Sequence, residues 1–153
     1  MEEKGDINNM GLFDKLKKKK ESNINFNEII EDTIYDLKNN PEACTLYDGM
    51  HTEDGKIVIQ ESNLGEKLKT FIRYFGTSDL LDKEYMENEK LIQEKDINEL
   101  TYKEIGTMLT AIIRGDRFCS GLIYSKVKDG TLFRLLERLK DIKSKGEKYE
   151  NKF

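Results

Sequence analysis

The sequence predicts a mainly helical α+β domain in which about five helices pack around one small β-hairpin. Three observations support this fold class. Apolar residues recur at the spacing of an amphipathic helix in several separate stretches of the chain. Only one stretch, residues 45–60, has the shorter period and the turn residues of a hairpin. The chain has 153 residues, which is enough for one hydrophobic core but short for two.

The two ends of the chain differ in composition from its middle. Residues 1–21 are polar and include the lysine block Lys17–Lys20, while residues 145–153 are rich in lysine and glutamate without apolar periodicity. We therefore expect a flexible basic N-terminal segment at 1–21, a single globular domain at 22–144 and a frayed tail at 145–153.

The first predicted elements are a helix and the hairpin. Asn25–Asn27 opens the helix, with Asn27 as its N-cap, and Pro41 follows its end. Asp54–Gly55 is a dipeptide typical of a tight hairpin turn, because it adopts positive backbone dihedrals readily. Ile57–Ile59 follows it and is the strongest strand signal in the chain.

Further helices are predicted after the hairpin. Ser62 or Asn63 is expected to cap the second helix, and Gly76 to end it. Residues 80–94 are charged and weakly periodic, which indicates a loop and one short helix. Thr101–Glu104 fits a capping box, in which the threonine hydroxyl and the glutamate carboxylate each accept a backbone N–H bond, so a helix should begin there.

A last helix is predicted after Gly130, and the apolar stripes of all the helices should meet in one core. The expected core residues are Ile34, Leu68, Phe71, Ile72, Phe75, Ile105, Met108, Leu109, Ile112, Leu132, Leu135, Leu136 and Leu139.

The run Arg114–Gly121 brings two arginines, a carboxylate, an aromatic ring and two glycines into an otherwise apolar helical pattern. If the helix that begins at Thr101 continues through Gly115, Asp116 lies on its buried face. The carboxylate then needs donors, such as an arginine or free backbone N–H groups, because burying it unpaired costs several kcal/mol. If Gly115 instead interrupts the helix, Asp116 becomes the N-cap of a second helix.

Two functional interpretations compete with this structural one. Arg114 and Arg117, three residues apart on a helix, could jointly hold a phosphate or carboxylate, with Phe118 as a stacking surface. Asp116 could instead act in catalysis, an interpretation that we rank last because no nucleophile or second well-placed carboxylate accompanies it. Arg134 and Arg138 are the other candidate partners of this carboxylate. The predicted binding residues are Arg114, Asp116, Arg117, Phe118, Arg134 and Arg138.

No catalytic residue, metal ligand or cofactor is predicted. His51 is the only imidazole, and a lone histidine on a hairpin is more often a surface or half-buried side chain than a catalyst. Cys44 and Cys119 are too few for a disulfide framework and, with one histidine, for a zinc site. We expect both to be buried free thiols in a reducing cytoplasm.

Charge and hydropathy limit the partners and the location. The formal net charge of -4 argues against a general nucleic-acid binder, because such binding needs many phosphate contacts from basic residues. No apolar run approaches the roughly 18 residues of a membrane span. The acidic N-terminus lacks the apolar region of a signal peptide, so we expect a cytoplasmic protein. Residues 10–20 could form a membrane-surface anchor or a solvated helical lead-in, and few apolar anchors favour the second.

Three stretches, Leu109–Ala111, Arg114–Gly121 and Gly130–Leu139, together resemble the hallmark of a bacterial family classed as a domain of unknown function. That hallmark runs Leu-Thr-Ala, then Arg-x-Glu-Arg-Phe-x-x-Gly, then a glycine-led helix ending in Arg-Leu. Asp116 stands at the acidic position, which keeps the charge and shortens its reach. The likeness is expected to begin at Asp54–Gly55 and to cover about two-thirds of the chain. The resemblance implies no known activity, ligand or catalytic residue.

The leading functional hypothesis is a non-enzymatic binding or regulatory module that acts through a protein partner. Its grounds are the small size, the acidity and the lack of a recognisable catalytic constellation. Twenty-one of the 26 basic residues are lysines, which indicates an AT-rich genome and a bacterial, phage or mobile-element source. The alternative is a binding protein or enzyme for an anionic small molecule, such as a nucleotide, held at Arg114, Asp116 and Arg117. The sequence does not predict the oligomeric state.

Overall fold

The computed structural model describes residues 25–51, 54 and 58–146. In chain order their elements are α1 (Phe26–Asn39), β1 (Cys44–His51), β2 (Val58–Leu64), α2 (Glu66–Phe75), α3 (Tyr85–Ile92), a 3₁₀ turn (Ile97–Glu99), α4 (Tyr102–Gly115), α5 (Leu122–Lys128) and α6 (Thr131–Lys145). These residues form six helices and one antiparallel hairpin, which confirms the predicted mainly helical α+β class. The count exceeds the expected five because α5 is a separate short helix.

The predicted start of α4 is confirmed and that of α1 is shifted. The Thr101 hydroxyl accepts from the N–H of Glu104 at 3.2 Å, and the Glu104 carboxylate accepts from the N–H of Thr101 at 3.0 Å, which completes the capping box. The N-cap of α1 is Asn25 and not Asn27, because the Asn25 side chain accepts the N–H of Asn27 at 2.8 Å.

The predicted cap of α2 is wrong. Ser62 and Asn63 lie within β2, and the N-cap of α2 is Gly65, which supplies no side-chain bond. Both side chains form other hydrogen bonds instead. The Asn63 amide donates to the hydroxyl of Thr45 on the neighbouring strand at 3.2 Å, and Ser62 bonds to the end of α4 as described below.

The hairpin pairs β1 with β2 from Cys44 opposite Leu64 outward, with a bulge between Asp48 and Met50. Several predictions fall outside the described residues: Gly55 of the expected turn, the side chain of His51, the N-terminal segment 1–21 with its anchor at 10–20, and residues 147–153. The last helix reaches Lys145, one residue beyond the predicted end of the domain.

Helix α4 is at the centre of the arrangement and packs against α3, α5 and α6. Helix α1 packs against α2 and α6, and the hairpin packs against α5. None of the described helices combines the length and apolar character needed to cross a membrane.

The core lies where these helices meet, and it contains nearly all the residues that the periodicity predicted. Ile72 and Met108 are the exceptions, since they are half-buried at its margin. Phe71 is fully buried and stacks on Phe26 of α1, with 5.8 Å between the ring centroids.

The two cysteines lie in different environments. Cys44 is buried in the core, as expected, but Cys119 is exposed, so that half of the prediction is wrong. The reason is that Cys119 belongs to an irregular connection between α4 and α5 and not to a continuous apolar helix.

Candidate functional site

The connection between α4 and α5 folds as a series of tight backbone turns. The N–H groups of Phe118 and Cys119 both donate to the carbonyl oxygen of Gly115, at 3.0 and 2.8 Å. Gly121 then adopts a φ of 81°, in the left-handed region that favours glycine, and α5 begins after it. These turns separate α5 from α4 and leave Arg117 and Phe118 exposed.

Asp116 holds this connection in place. It is the half-buried C-cap residue of α4, and its Oδ1 accepts the backbone N–H of Ile123 at 2.9 Å and the hydroxyl of Ser62 at 3.0 Å. The Ser62 hydroxyl in turn accepts the N–H of Tyr124 at 3.0 Å. The first turn of α5 has no side-chain cap of its own because its N-cap residue is a glycine. Asp116 supplies the missing negative acceptor and ties β2 to the same point.

This arrangement corrects both sequence-based alternatives for Asp116. The residue is neither inside a continuous helix nor the N-cap of the next one. Its acceptor oxygen is bonded by a serine hydroxyl and a backbone N–H, so the expectation of a satisfied carboxylate holds. The backbone N–H is one of the two kinds of donor expected, and the serine hydroxyl takes the place of the arginine.

Asp116 also acts on the buried thiol of Cys44. Burial, and then the negative charge of Asp116, raise the pKa of the Cys44 thiol to about 11. The thiol is therefore protonated at neutral pH.

A second aspartate attaches the segment before α3 to α4. The carboxylate of Asp82 accepts the hydroxyl of Thr107 at 2.6 Å, the amide of Asn88 at 2.9 Å and the N–H of Glu84 at 2.9 Å. The backbone N–H of Asp82 donates to the hydroxyl of Thr110 at 3.0 Å. Since Thr107 and Thr110 are buried on α4, the start of α3 is held at a fixed position on that helix.

The same bonds set the ionisation of Asp82. Partial burial by itself raises its pKa, but the three hydrogen bonds to the carboxylate and the positive charge of Lys103 outweigh that effect. The pKa of Asp82 therefore lies below its ordinary value, and the carboxylate is charged at neutral pH.

Helix α4 and the segment before α3 also approach each other closely at Gly106. A Cβ atom at this position would overlap the carbonyl oxygen of Leu80, which is a backbone atom and cannot rotate away. Glycine therefore permits the close contact that brings α3 beside the end of α4.

Between these two anchored segments lies a groove of about 700 Å³. We call its two sides the α3 wall (Lys83–Glu87) and the arginine wall (Arg114, Arg117 and Phe118). Tyr85 is buried, whereas Met86 is 60% exposed and Phe118 is 80% exposed. The groove therefore joins two accessible apolar side chains to five charged ones.

The arginine wall has charge that the fold leaves uncompensated. Among the described residues, neither Arg114 nor Arg117 forms an ion pair or a side-chain hydrogen bond. Arg114 lies in the last turn of α4, where a positive charge suits the helix dipole, but Arg117 lies beyond the helix and is exposed. Two guanidinium groups are thus available to a ligand.

The six binding residues predicted from the sequence are divided by the fold. Arg114, Arg117 and Phe118 come together in the groove, while Asp116 supports the connection and does not line it. Arg134 and Arg138 line a separate cleft of about 330 Å³ on α6.

Arg138 has a structural role in that second cleft. It donates to the carbonyl oxygen of Leu100 at 3.1 Å and pairs with Asp141 at 3.4 Å. Arg134 is exposed, and its Nε donates to the carbonyl oxygen of Gly130 at 3.4 Å. Neither contact directs these arginines toward the groove.

The residues of the α3 wall were not among the binding residues predicted from the sequence. Its residues fall in the weakly periodic stretch 80–94, which was expected to form only a loop and a short helix. The available signal was Met86, an apolar residue that is out of phase with the buried Tyr85 and Ile92.

No group of three or more His, Cys, Asp or Glu side chains in the described ranges is placed to hold a metal ion.

Comparison with known proteins gives one match. A model described as "Family of unknown function (DUF6508)" matches residues 25–145, which is well over half of the chain. The matched range includes α1 and so begins before Asp54, where the sequence resemblance was expected to begin. No curated protein and no solved structure matches the chain.

Proposed function

The chain belongs to DUF6508, a family of unknown function, and we propose that it is a non-enzymatic module whose groove binds a segment of a protein partner. The observation that carries this proposal is the exposure of Phe118, which is 80% accessible on the arginine wall. An aromatic ring held in solvent beside two guanidinium groups has the composition of a protein interface, where aromatic residues, Met and Arg are enriched.

A role in the hydrophobic core does not explain the presence of Phe118. It is absent from the core and from the half-buried residues that pack against the core. Single exposed apolar residues are common on protein surfaces and need no explanation. Phe118, however, shares the groove with the exposed Met86 and with Arg114 and Arg117, and such combinations form the energetic centres of interfaces.

The groove is also preformed. Asp116 fixes the arginine wall to β2 and α5, and Asp82 fixes the α3 wall to α4. A surface that is ordered before binding loses less conformational entropy when a partner docks. This favours a binding role over one in which the walls fold only around a ligand.

The alternative is a site for an anionic small molecule such as a nucleotide. The unpaired guanidinium groups of Arg114 and Arg117 favour it, because arginine binds phosphate through several hydrogen bonds at once. Asp116 is not part of this version of the site, since its carboxylate is bonded to Ser62 and Ile123.

The test is a capture experiment with matched variants. Immobilised wild-type protein, Phe118→Ala and Leu91→Ala are each incubated with lysate of the source cells, and the retained proteins are quantified by mass spectrometry. Leu91 is the control, because it is 79% exposed on α3 but lines a different cleft. Circular dichroism checks that both variants fold.

We expect at least one protein to be retained by the wild type and by Leu91→Ala but lost with Phe118→Ala. Truncation of a central interface aromatic costs about 2 kcal/mol or more, or about 30-fold in Kd. Equal capture by all three proteins would contradict the proposal. A thermal-shift screen with nucleotides and phosphosugars tests the alternative, which predicts a rise in Tm that Arg114→Ala and Arg117→Ala abolish.

We further propose that the protein acts in the cytoplasm and derives from a phage or other mobile element. These two proposals rest on composition, in which lysine far outnumbers arginine and cysteine is rare. Cell fractionation tests the first, and the identity of neighbouring genes tests the second.

A further inference from the structure

We propose that the segment bound in the groove is acidic and carries a bulky apolar side chain, with its carboxylates on the arginine wall and its apolar group between Phe118 and Met86. This inference rests on the proposed function and adds the chemistry of the partner. It is argued from the charges that line the groove and from the position of the two apolar side chains.

The arginine wall is suited to carboxylates. Arg114 and Arg117 have no ion-pair partner among the described residues, so an incoming carboxylate does not have to displace an internal one. A guanidinium group can donate two parallel hydrogen bonds to a carboxylate, which a lysine cannot do. Twenty-one of the 26 basic residues in this chain are lysines, so two arginines at one groove are a notable departure from its composition.

The α3 wall determines which way the segment lies. Glu84 and Glu87 are exposed there beside Lys83, and they sit at the start of α3, where negative charge suits the positive end of the helix dipole. They repel carboxylates from their own side of the groove. An acidic partner is therefore best accommodated with its charges toward Arg114 and Arg117.

The apolar contact is supplied by both walls. Phe118 and Met86 are the two exposed apolar side chains in the groove lining. Methionine is flexible and polarisable and adapts to irregular or aromatic partners.

The net charge of the whole protein, -4, opposes an acidic partner only weakly, since screening at physiological salt confines charge effects to about 8 Å.

The experiment uses phage-displayed random dodecapeptides selected against the full-length protein. Selected sequences are synthesised with a fluorophore, and their Kd values are measured by fluorescence anisotropy for the wild type, Phe118→Ala, Arg117→Glu and Arg134→Glu. Arg134 is the matched control, because it is an exposed arginine outside the groove. Glu-to-Lys versions of the best peptide are measured in parallel.

We expect the selected peptides to be enriched in Asp and Glu together with Phe, Tyr, Trp or Leu. Arg117→Glu should weaken their binding about tenfold or more, and Arg134→Glu by less than about twofold. A Glu-to-Lys peptide should bind Arg117→Glu better than it binds the wild type. Binding of the acidic peptides should weaken severalfold between about 50 and about 500 mM salt.

Two different failures are distinguishable. If the selected peptides require Phe118 but are not acidic, or are indifferent to Arg117→Glu, the acidic-partner inference is wrong and the docking groove stands. If no selected peptide depends on Phe118 or Arg117, the groove is not a peptide-binding site, and both the inference and the proposed function fail.

Discussion

Replacement of Asp116 by alanine tests whether this residue holds the arginine wall in place. One oxygen of its carboxylate accepts the hydroxyl of Ser62 at 3.0 Å and the N–H of Ile123 at 2.9 Å. A hydrogen bond to a charged acceptor contributes about 1.5 to 3 kcal/mol. Because Asp116 is only half-buried, each of its two bonds should contribute an energy near the lower end of this range. We therefore expect Asp116→Ala to reduce the free energy of unfolding by about 2 to 4 kcal/mol.

The asparagine variant separates the charge of this residue from its geometry. The amide oxygen of Asp116→Asn can still accept both hydrogen bonds, but it carries no negative charge beside the first turn of α5. We therefore expect a smaller loss of about 1 kcal/mol, close to the ordinary contribution of a neutral hydrogen bond.

The measurement is urea unfolding followed by far-UV circular dichroism, with unchanged m-values as evidence that the same transition is compared. Asp32→Ala is the control. Its carboxylate pairs with Lys67 at 3.7 Å, and both side chains are more than half exposed. Such a surface pair contributes little, so this variant should remain within about 1 kcal/mol of the wild type.

A double-mutant cycle with Ser62→Ala makes the test specific. Because Ser62 donates to Asp116, the two substitutions should be non-additive, with a coupling energy of about 1 kcal/mol. If Asp116→Ala is no less stable than Asp32→Ala, or if the cycle is additive, the assignment of Asp116 as the support of the α4–α5 connection is wrong.

Three further predictions concern the rest of the described structure. Gly106→Ala should destabilise the protein by about 2 kcal/mol or more in urea unfolding, because its Cβ would overlap a backbone oxygen, whereas Gly76→Ala, at a helical φ of -62°, should be nearly neutral. The pKa of Asp82 is lowered in the folded state, so the ionised carboxylate stabilises the fold. This contribution to the free energy of unfolding is complete above the ordinary aspartate pKa of about 3.9, and it is lost as the pH falls through the pKa of Asp82 in the folded protein. The stability difference between the wild type and Asp82→Asn should therefore be constant above about pH 5 and shrink toward pH 3. A thiol reagent should modify Cys119 rapidly in the native protein and Cys44 only after unfolding, since Cys44 is buried with a pKa of about 11.

Each of these has a clear contrary result. Equal stability of Gly106→Ala and Gly76→Ala would show that helix α4 can move away from the backbone of Leu80. A difference for the aspartate variant that does not vary with pH would mean that its charge does not contribute to folding. Two thiols reacting at the same rate in the native state would contradict the burial of Cys44.

Features that depend on neighbours in the sequence were predicted well. The capping box of Thr101 and Glu104 needs only residues three apart, and the structure contains both of its hydrogen bonds. The apolar stripe of the last helix was also sufficient to identify its core residues, since Leu135, Leu136 and Leu139 are fully buried. Helical period and cap chemistry are local properties, so they can be read without knowing what lies across the core.

Features that depend on distant partners were not predictable in this way. Ser62 was expected to cap a helix because serine favours that position, yet its hydroxyl bonds to Asp116, which is 54 residues away. Asp116 was expected to bond to an arginine or to free backbone N–H groups, and the turns after Gly115 direct it to the N–H of Ile123 on α5 and to the hydroxyl of Ser62 on β2. Arg134 and Arg138 were grouped with the site as candidate partners of Asp116, and the fold places them in another cleft.

The sequence by itself determined the fold class, most of the core and three members of the groove: Arg114, Arg117 and Phe118. Only the tertiary structure decided that Lys83–Glu87 faces these three and that Asp116 supports the site without lining it. The reason is physical. Periodicity reports which face of an element avoids water, whereas a groove is formed by the exposed residues of two elements, and their separation is set by long-range contacts such as those of Asp82 and Gly106 with the rest of the fold.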